Sequence, residues 1–414
     1  MKQPLHGSLW SRPDVRLVLP ARALSYAGDA VALVALTLRV SADSGPSSFA
    51  MTGLLLAFAL PTVLMVPFAG RIVDSLDSRT VLVSASLLQA AAGAGLALAD
   101  GLAATLALVC VLQVGQAVAG PAWAALIPRI VGEELIGRAT GASQALTGVA
   151  TIAGAGMGGL LVAWQGDTGA LLVNAATFLG LAVVAWLVRT RRRPDPGGPA
   201  YAGGALAGVR SLLGDQLLRV LVPGLWLFIL AAEALNVVEV YLLTGDLGLG
   251  PVGYGLIGAG QGVGAVAGAW CTGRLGADRA RALAVVAGTA LIGAAALLMG
   301  LTQILVLVAL GAVGMGFAAG VLNTGTSTLV VTRTPEALRG RVIAALAGST
   351  RACSLVALLL GGAAGALLGP RGTFLASGAA CVLLAVVMVV PVLSALRREP
   401  GAARNDSVSK VVSH

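Results

Sequence analysis

Few ionisable side chains interrupt the apolar stretches of this chain, and those that do are the residues able to carry chemistry. Asp29 stands in one stretch with Arg22 seven residues before it; Glu233, Asn236 and Glu239 share a second; Arg351 lies well inside a third. Seven residues are about two turns of α-helix, so Arg22 and Asp29 share a face. A charge at the centre of a bilayer costs roughly 2.5–3.5 kcal/mol on insertion scales, so such residues mark pathways or pairs. A carboxyl whose surroundings alternate between wet and dry can load and release a proton, and the same carboxylate can hold a cationic ligand. The opposing reading makes the acids fixed partners of Arg22 and Arg351 that hold helices together. Asp29 and Glu233 are expected to bind protons or substrate, with Asn236 beside Glu233. Glu239 lies nearer one surface, where either role is open. Arg22 and Arg351 are expected to be charge partners. Gln113 and Gln116 share a helix face, and Asn323 lies with Thr324 late in its stretch; each could bond a ligand or a neighbouring helix.

The elements that position these residues follow from composition. With 57% hydrophobic and 11% charged residues and a mean hydropathy of +0.92, the chain is far from a soluble globule, in which about a quarter of residues are charged. The apolar residues fall into blocks of ~20, the length that crosses a hydrocarbon core. Twelve spans are expected. Six occupy 17–40, 49–70, 80–99, 103–127, 139–164 and 169–188; six more occupy 220–243, 252–273, 282–301, 303–326, 342–368 and 372–395. The chain also repeats itself at an offset of 203 residues. Glu133–Arg138 (E-E-L-I-G-R) returns as Glu336–Arg341 (E-A-L-R-G-R), Gly70-Arg71 as Gly273-Arg274, Gly158-Gly159 as Gly361-Gly362, and Gly169 as Gly372. A repeat of that size with six spans per copy gives two parallel halves. The offset carries Asp29 to within one residue of Glu233, so the halves place an acid at nearly the same depth.

Basic residues orient the spans. With the N-terminus in the cytoplasm, 24 of the 27 Lys and Arg fall on one side, and Arg39 and Arg371 lie near the ends of opposite connections. The positive-inside rule predicts this asymmetry and places both termini in the cytoplasm. The expected organisation is a six-helix half over 1–188, a basic, Pro- and Gly-rich cytoplasmic linker over 189–218, a second half over 219–396 and a cytoplasmic tail over 397–414. Gly203–Leu218 reads as a short amphipathic surface helix. The net charge of +9 is accounted for as orientation signal and attraction to lipid head groups, without nucleic acid. No cleavable leader pattern precedes the first block. Cys110, Cys271, Cys353 and Cys381 lie within apolar blocks at spacings that fit neither disulfides nor a metal site. No nucleophile constellation, metal cluster or phosphate loop is evident, which excludes the common enzyme classes and ATP drive; no cofactor is expected. Glycines four apart, at Gly154 and Gly158, at Gly260, Gly264 and Gly268, and at Gly361, Gly365 and Gly369, are expected to form a moving interface between the halves.

Gly70–Arg79 reads G-R-I-V-D-S-L-D-S-R. This resembles the signature loop of the major facilitator superfamily at Gly70, Asp74 and Arg79, with Ser75 and Asp77-Ser78 departing from the usual pattern. Gly28-Asp29, Pro61, Gly120-Pro121-Ala122, Asn174–Phe178 and Arg339-Gly340-Arg341-Val342 are similar to the macrolide-efflux and enterobactin-exporter-like branch, while Ala155 departs from the antiporter glycine-proline motif. The resemblance implies the all-α major facilitator fold, with the first, fourth, seventh and tenth spans lining a cavity. It implies a gate in which Asp74, with Gly70, Arg71 and Arg79, docks near Arg341 at the start of the eleventh span. It further implies a monomeric multi-pass transporter that moves a small molecule against protons, while 25 Arg against 2 Lys and abundant Ala and Gly point to a GC-rich bacterial genome and a cell-membrane location. The expected activity is export of small amphipathic compounds such as antibiotics, an antiporter linked to multidrug resistance; a lipid or lysolipid flippase and a siderophore exporter remain open alternatives.

Overall fold

A computed structural model describes residues 9–43, 48–132, 135–191, 214–335 and 338–398, and among these all regular structure is helical. The helices are α1 (Pro13–Asp43), α2 (Ser48–Leu64), α3 (Val66–Ser75), α4 (Ser78–Leu98), α5 (Leu102–Val131), α6 (Ile136–Leu187), α7 (Leu218–Val240), α8 (Pro251–Gly273), α9 (Asp278–Leu301), α10 (Leu305–Arg333) and α11 (Arg339–Arg398). A π-helical segment, Tyr241–Asp246, follows α7. Backbone polar groups have no water to bond in a bilayer, so a continuous helix is the economical way across. The polar ends need other partners. Asp77 caps α4 by accepting from Arg79 N at 2.8 Å, and Asp215 caps α7 by accepting from Leu217 N and Leu218 N at 3.0 and 2.9 Å.

Two of these helices are too long to be single spans. As a straight rod, the 52-residue α6 would be about 78 Å long. Yet Gly154 packs on Ala27 and Ala30 of α1, while Asn174 and Thr177 pack on Gly28. Residues twenty apart in α6 therefore lie at one depth, and the chain has reversed between them. The reversal is at Gly166, whose φ of 73° is a backbone conformation that glycine adopts without strain. In α11, Ser349 and Cys353 bond Trp226 while Met388 packs on Gly224, and the reversal is at Gly369, φ 69°. The two turns are 203 residues apart. With α2 and α3 as one bent span, the twelve expected spans are all present.

The same offset governs the packing. Gly158 lies on Val31 and Val34, and Gly361 lies on the equivalent Ala234 and Val237. Between the halves, Gly159 of α6 meets Gly255 of α8, and Gly362 of α11 meets Thr52 of α2, which are the same two positions exchanged. Thr52 Oγ1 donates to Leu358 O at 3.4 Å, and Gly255 faces Ala155 O, again an equivalent pair. The halves are thus related by a pseudo-two-fold axis along the bundle.

Both seams lie toward the end that carries Gly166 and Gly369, the turn end. At the opposite, basic end, a side chain added at Gly70, Gly137, Gly141, Gly273 or Gly276 would meet nothing within 4 Å. The glycine stripes correct one expectation in part. Gly264 and Gly268 face Val313 and Phe317 of α10, within their own half, and Gly154, Gly158 and Gly361 likewise pack inside their halves. The seam is carried by the next residues around, Gly159, Gly255 and Gly362, and by one member of the stripes, Gly365, which meets Ser48 of α2. Spacing of four finds a close-packed face, but not which neighbour covers it.

At the turn end each half has a guanidinium staple. Arg39 pairs with Asp167 and donates to Leu96 O at 2.7 Å; Arg371 pairs with Asp246 at 3.0 Å and donates to Gly300 O at 3.3 Å. The polarity is exchanged, with the cation on the first helix of one half and on the last turn of the other. Burial opposes ionisation of Asp167, which lies in the turn beyond the span, but the Arg39 hydrogen bond and charge outweigh it and hold the carboxyl below its ordinary 3.8. Residues 192–213 and 399–414 lie outside the described residues, and with them most of the expected linker, surface helix and tail.

Candidate functional site

Two adjoining chambers, each about 420 Å³, open along α1 and share Ala30, Leu33, Leu55 and Thr151. The first lies between the halves, lined by α1, α2, α6, α7, α8 and α11, and contains Glu233, Asn236 and Glu239. The second lies within the N-terminal half against α5 and the second arm of α6, and contains Asp29 and Gln113. The remaining walls are mostly aliphatic, with Tyr254, Gln261 and Ser354 in the first chamber and Tyr26, Phe58 and Asn174 in the second.

The acids are held without cations. Glu233 accepts from Ser354 Oγ at 2.6 Å and from Asn236 Nδ2 at 3.2 Å. Glu239 accepts from Gln261 Nε2 of α8, and Tyr254, hydrogen-bonded to Thr37, lies close to it. Asp29 has no hydrogen-bond or ion-pair partner among the described residues. The expected partnership with Arg22 is not formed. That guanidinium stacks instead between Tyr26 and Trp123, 5.8 and 5.9 Å from their ring centres, and donates to the Tyr26 hydroxyl at 3.3 Å. Arg22 and Asp29 border one small cavity, but the aromatic faces offer the cation a favourable alternative. Arg351 is exposed and likewise forms no ion pair among the described residues.

The amides divide. Gln113 lines the second chamber, whereas Gln116 also accepts from Gln89, a fully buried residue of α4, at 3.0 Å and so ties α4 to α5. Asn323 is exposed on α10 and lines neither chamber; α10 contributes no residue to either. The loop residues Gly70, Arg71 and Asp74 are exposed at the basic end. Arg79 donates to Val188 O at 2.7 Å, binding the loop to the end of α6 in its own half. The side chain of Arg341 lies outside the described residues.

Sequence reasoning passed over Tyr26, Asn174, Tyr254, Gln261 and Ser354. Gln261 carried a usable signal, since it is the lone amide in its span and stands amid glycines. The π-helical segment after Glu239 also has no counterpart in α1, which stays α-helical to Asp43. Such widened turns recur where a helix serves a site.

A model of the Major Facilitator Superfamily matches residues 18–238 and 221–412. The chain is 26% identical to a Mycobacterium tuberculosis protein named multidrug efflux pump Tap, over 95% of this chain and 97% of that one. Among solved structures, a POT family transporter in complex with 5-aminolevulinic acid superposes with a TM-score of 0.75 at 12% identity, covering 93% of this chain and 97% of that one. A bacterial homologue of the human lysosomal transporter Spinster, inward-facing and unoccupied, superposes with a TM-score of 0.68 at 17% identity, covering 94% and 96%.

Proposed function

From a chain that belongs to the Major Facilitator Superfamily, a family of transporters rather than enzymes, we propose a proton-coupled exporter of small amphipathic compounds such as antibiotics or secondary metabolites. The observation that carries the reading is the set of three acids, Asp29, Glu233 and Glu239, facing the chambers with no Arg or Lys paired to any of them among the described residues. Fixed structural acids in an apolar surrounding would be expected to keep a cation close. Acids without one are free to exchange a proton for a cationic or polar ligand. Similarity to a protein named as a multidrug efflux pump, over nearly the whole chain, supports export. The motifs shared with the macrolide-efflux and enterobactin-exporter-like branch agree with that direction.

In this mechanism the halves, residues 1–188 and 219–396, rock about the chambers, and the protein works as a monomer in a bacterial cell membrane. The basic end faces the cytoplasm, and the arrangement with the turn-end seams closed is the inward-facing one in this reading. Substrate enters the chambers from the cytoplasm. The turn-end seams at Gly159–Gly255 and Thr52–Gly362 part, and the basic end closes through Asp74 and Arg341. Protons arriving from outside neutralise the chamber acids Asp29, Glu233 and Glu239, release the substrate and return the carrier.

The test is dye transport in inverted vesicles with and without an imposed proton gradient. Gradient-dependent uptake in the wild type that is lost in Asp29→Asn and Glu239→Gln is expected; uptake indifferent to the gradient would refute proton coupling.

A further inference from the structure

Asn174 is a polar group for which neither the fold nor the rocking mechanism has a use. It lies on the second arm of α6 at 1% exposure, and neither its amide oxygen nor its amide nitrogen has a hydrogen-bond partner in the protein. A buried polar group left in that state costs about 1–3 kcal/mol, so packing alone favours an aliphatic residue here. The local backbone makes room for it. A side chain added at Gly28 would lie 2.8 Å from the Asn174 amide oxygen, so the glycine before Asp29 is what lets the amide sit against α1. Asn174 also lines the chamber that holds Asp29 and Gln113. A partnerless carboxylate and a partnerless amide thus border one cavity, whose other walls include Leu33, Leu55 and Phe58.

We propose that this chamber recognises substrates through a protonated primary or secondary amine, with Asp29 as counter-ion and the Asn174 carbonyl oxygen as acceptor for an ammonium N–H. The inference rests on the export reading and adds the chemical class of the cargo. An alkylammonium carries both a charge and several N–H donors. One donor meets the carboxylate, another meets the amide, and the apolar part of the molecule lies on the aliphatic wall. A quaternary ammonium carries the charge alone and leaves Asn174 unsatisfied. The volume, about 420 Å³, lies within the range of sites that enclose drug-sized ligands. A site built to bond a particular hydrogen rejects analogues that lack it, because its own buried groups then stay without partners.

The probes are a dansyl-labelled alkyl primary amine and its N,N,N-trimethyl counterpart, titrated by fluorescence against the full chain in lipid nanodiscs. The wild type is expected to favour the primary amine by about tenfold, the scale of one hydrogen bond to a charged group. Asn174→Leu is expected to weaken the primary amine by about tenfold and leave the trimethyl probe within about twofold. Asp29→Asn is expected to weaken both. Asn174→Leu should unfold at a temperature no lower than wild type, because it removes two partnerless groups; Asn174→Ser, small enough for the space and still an acceptor, should keep part of the preference. Equal weakening of both probes in the Asn174 variants, an unchanged preference, or no binding of either probe to the wild type would overturn the proposal. Its failure is separable from failure of the export reading. An unaltered preference alongside gradient-driven efflux removes only the amine site, whereas a preference lost as expected with efflux indifferent to protons removes only the coupling.

Discussion

Adding one methyl group at Gly159 should shift the balance between the two faces of the carrier. The Cβ would press on the backbone of α8, against Pro251 O and with Gly255 Cα at 3.1 Å. Backbone cannot rotate aside as a side chain can, so the seam must open. Overpacking of this kind costs about 1–3 kcal/mol, and the cost falls only on the state in which the turn end is closed. The equilibrium should therefore move by about 5- to 150-fold toward the state open at the turn end. The two-fold-related position supplies an internal comparison. A Cβ at Gly362 meets the Thr52 side chain, whose hydroxyl can turn away, so Gly362→Ala should shift the balance less. At Gly70 nothing lies within 4 Å, and Gly70→Ala should leave it unchanged. The assay is alkylation of a single cysteine introduced at Thr37, in the first chamber, by a membrane-impermeant reagent applied from each side, in a background without the four native cysteines. Faster labelling from the turn-end side in the order Gly159→Ala, Gly362→Ala, Gly70→Ala is the expected result. Equal rates for Gly159→Ala and Gly70→Ala would refute the assignment of the seam.

Other consequences can be measured separately. Gln116→Leu should lower thermal stability by about 1–3 kcal/mol, because it strands the fully buried Gln89, whereas Gln113→Leu should alter transport and leave stability within about 0.5 kcal/mol. Arg39→Gln should destabilise more than Arg371→Gln in thermal unfolding, since the Arg39–Asp167 pair has side-chain exposures of 11% and 33% against 28% and 35% for Arg371–Asp246. Asp167 has its folded carboxyl below 3.8, so its contribution is complete above that value and lost only as pH falls through the lower folded one. The stability difference between wild type and Asp167→Asn should accordingly stay constant from pH 7 to pH 5; a difference that shrinks in that window would mean the pair is weaker than its geometry.

Much of the architecture is legible in the chain because the bilayer imposes it. Span length, the 203-residue echo and the placement of arginine each follow from one strong constraint, and the echo reaches to individual contacts, with Gly158 on Val31 and Gly361 on Ala234. The site was less legible. Asp29, Glu233, Glu239 and Gln113 could be found as polar residues where polarity is costly. Whether Arg22 reaches Asp29 or turns to Trp123, and whether a glycine stripe faces its own half or the other, depends on how each helix is rotated about its axis. Apolar helices in an apolar solvent carry little amphipathic signal to fix that rotation. Asn174 escaped because a single amide in a span reads as an interhelical bond; only its lack of any partner sets it apart.

The account turns on acids in the chambers that exchange protons as substrate moves. Proteoliposomes holding the purified chain and a trapped pH indicator test this directly, when a lipophilic amine is added on the side of the basic end with no pre-set proton gradient. The account predicts that amine transport drives protons the opposite way in the wild type, and that the Asp29→Asn, Glu239→Gln double variant, folded and inserted as the wild type is, moves none. Substrate uptake by the wild type with no counter-movement of protons would contradict it.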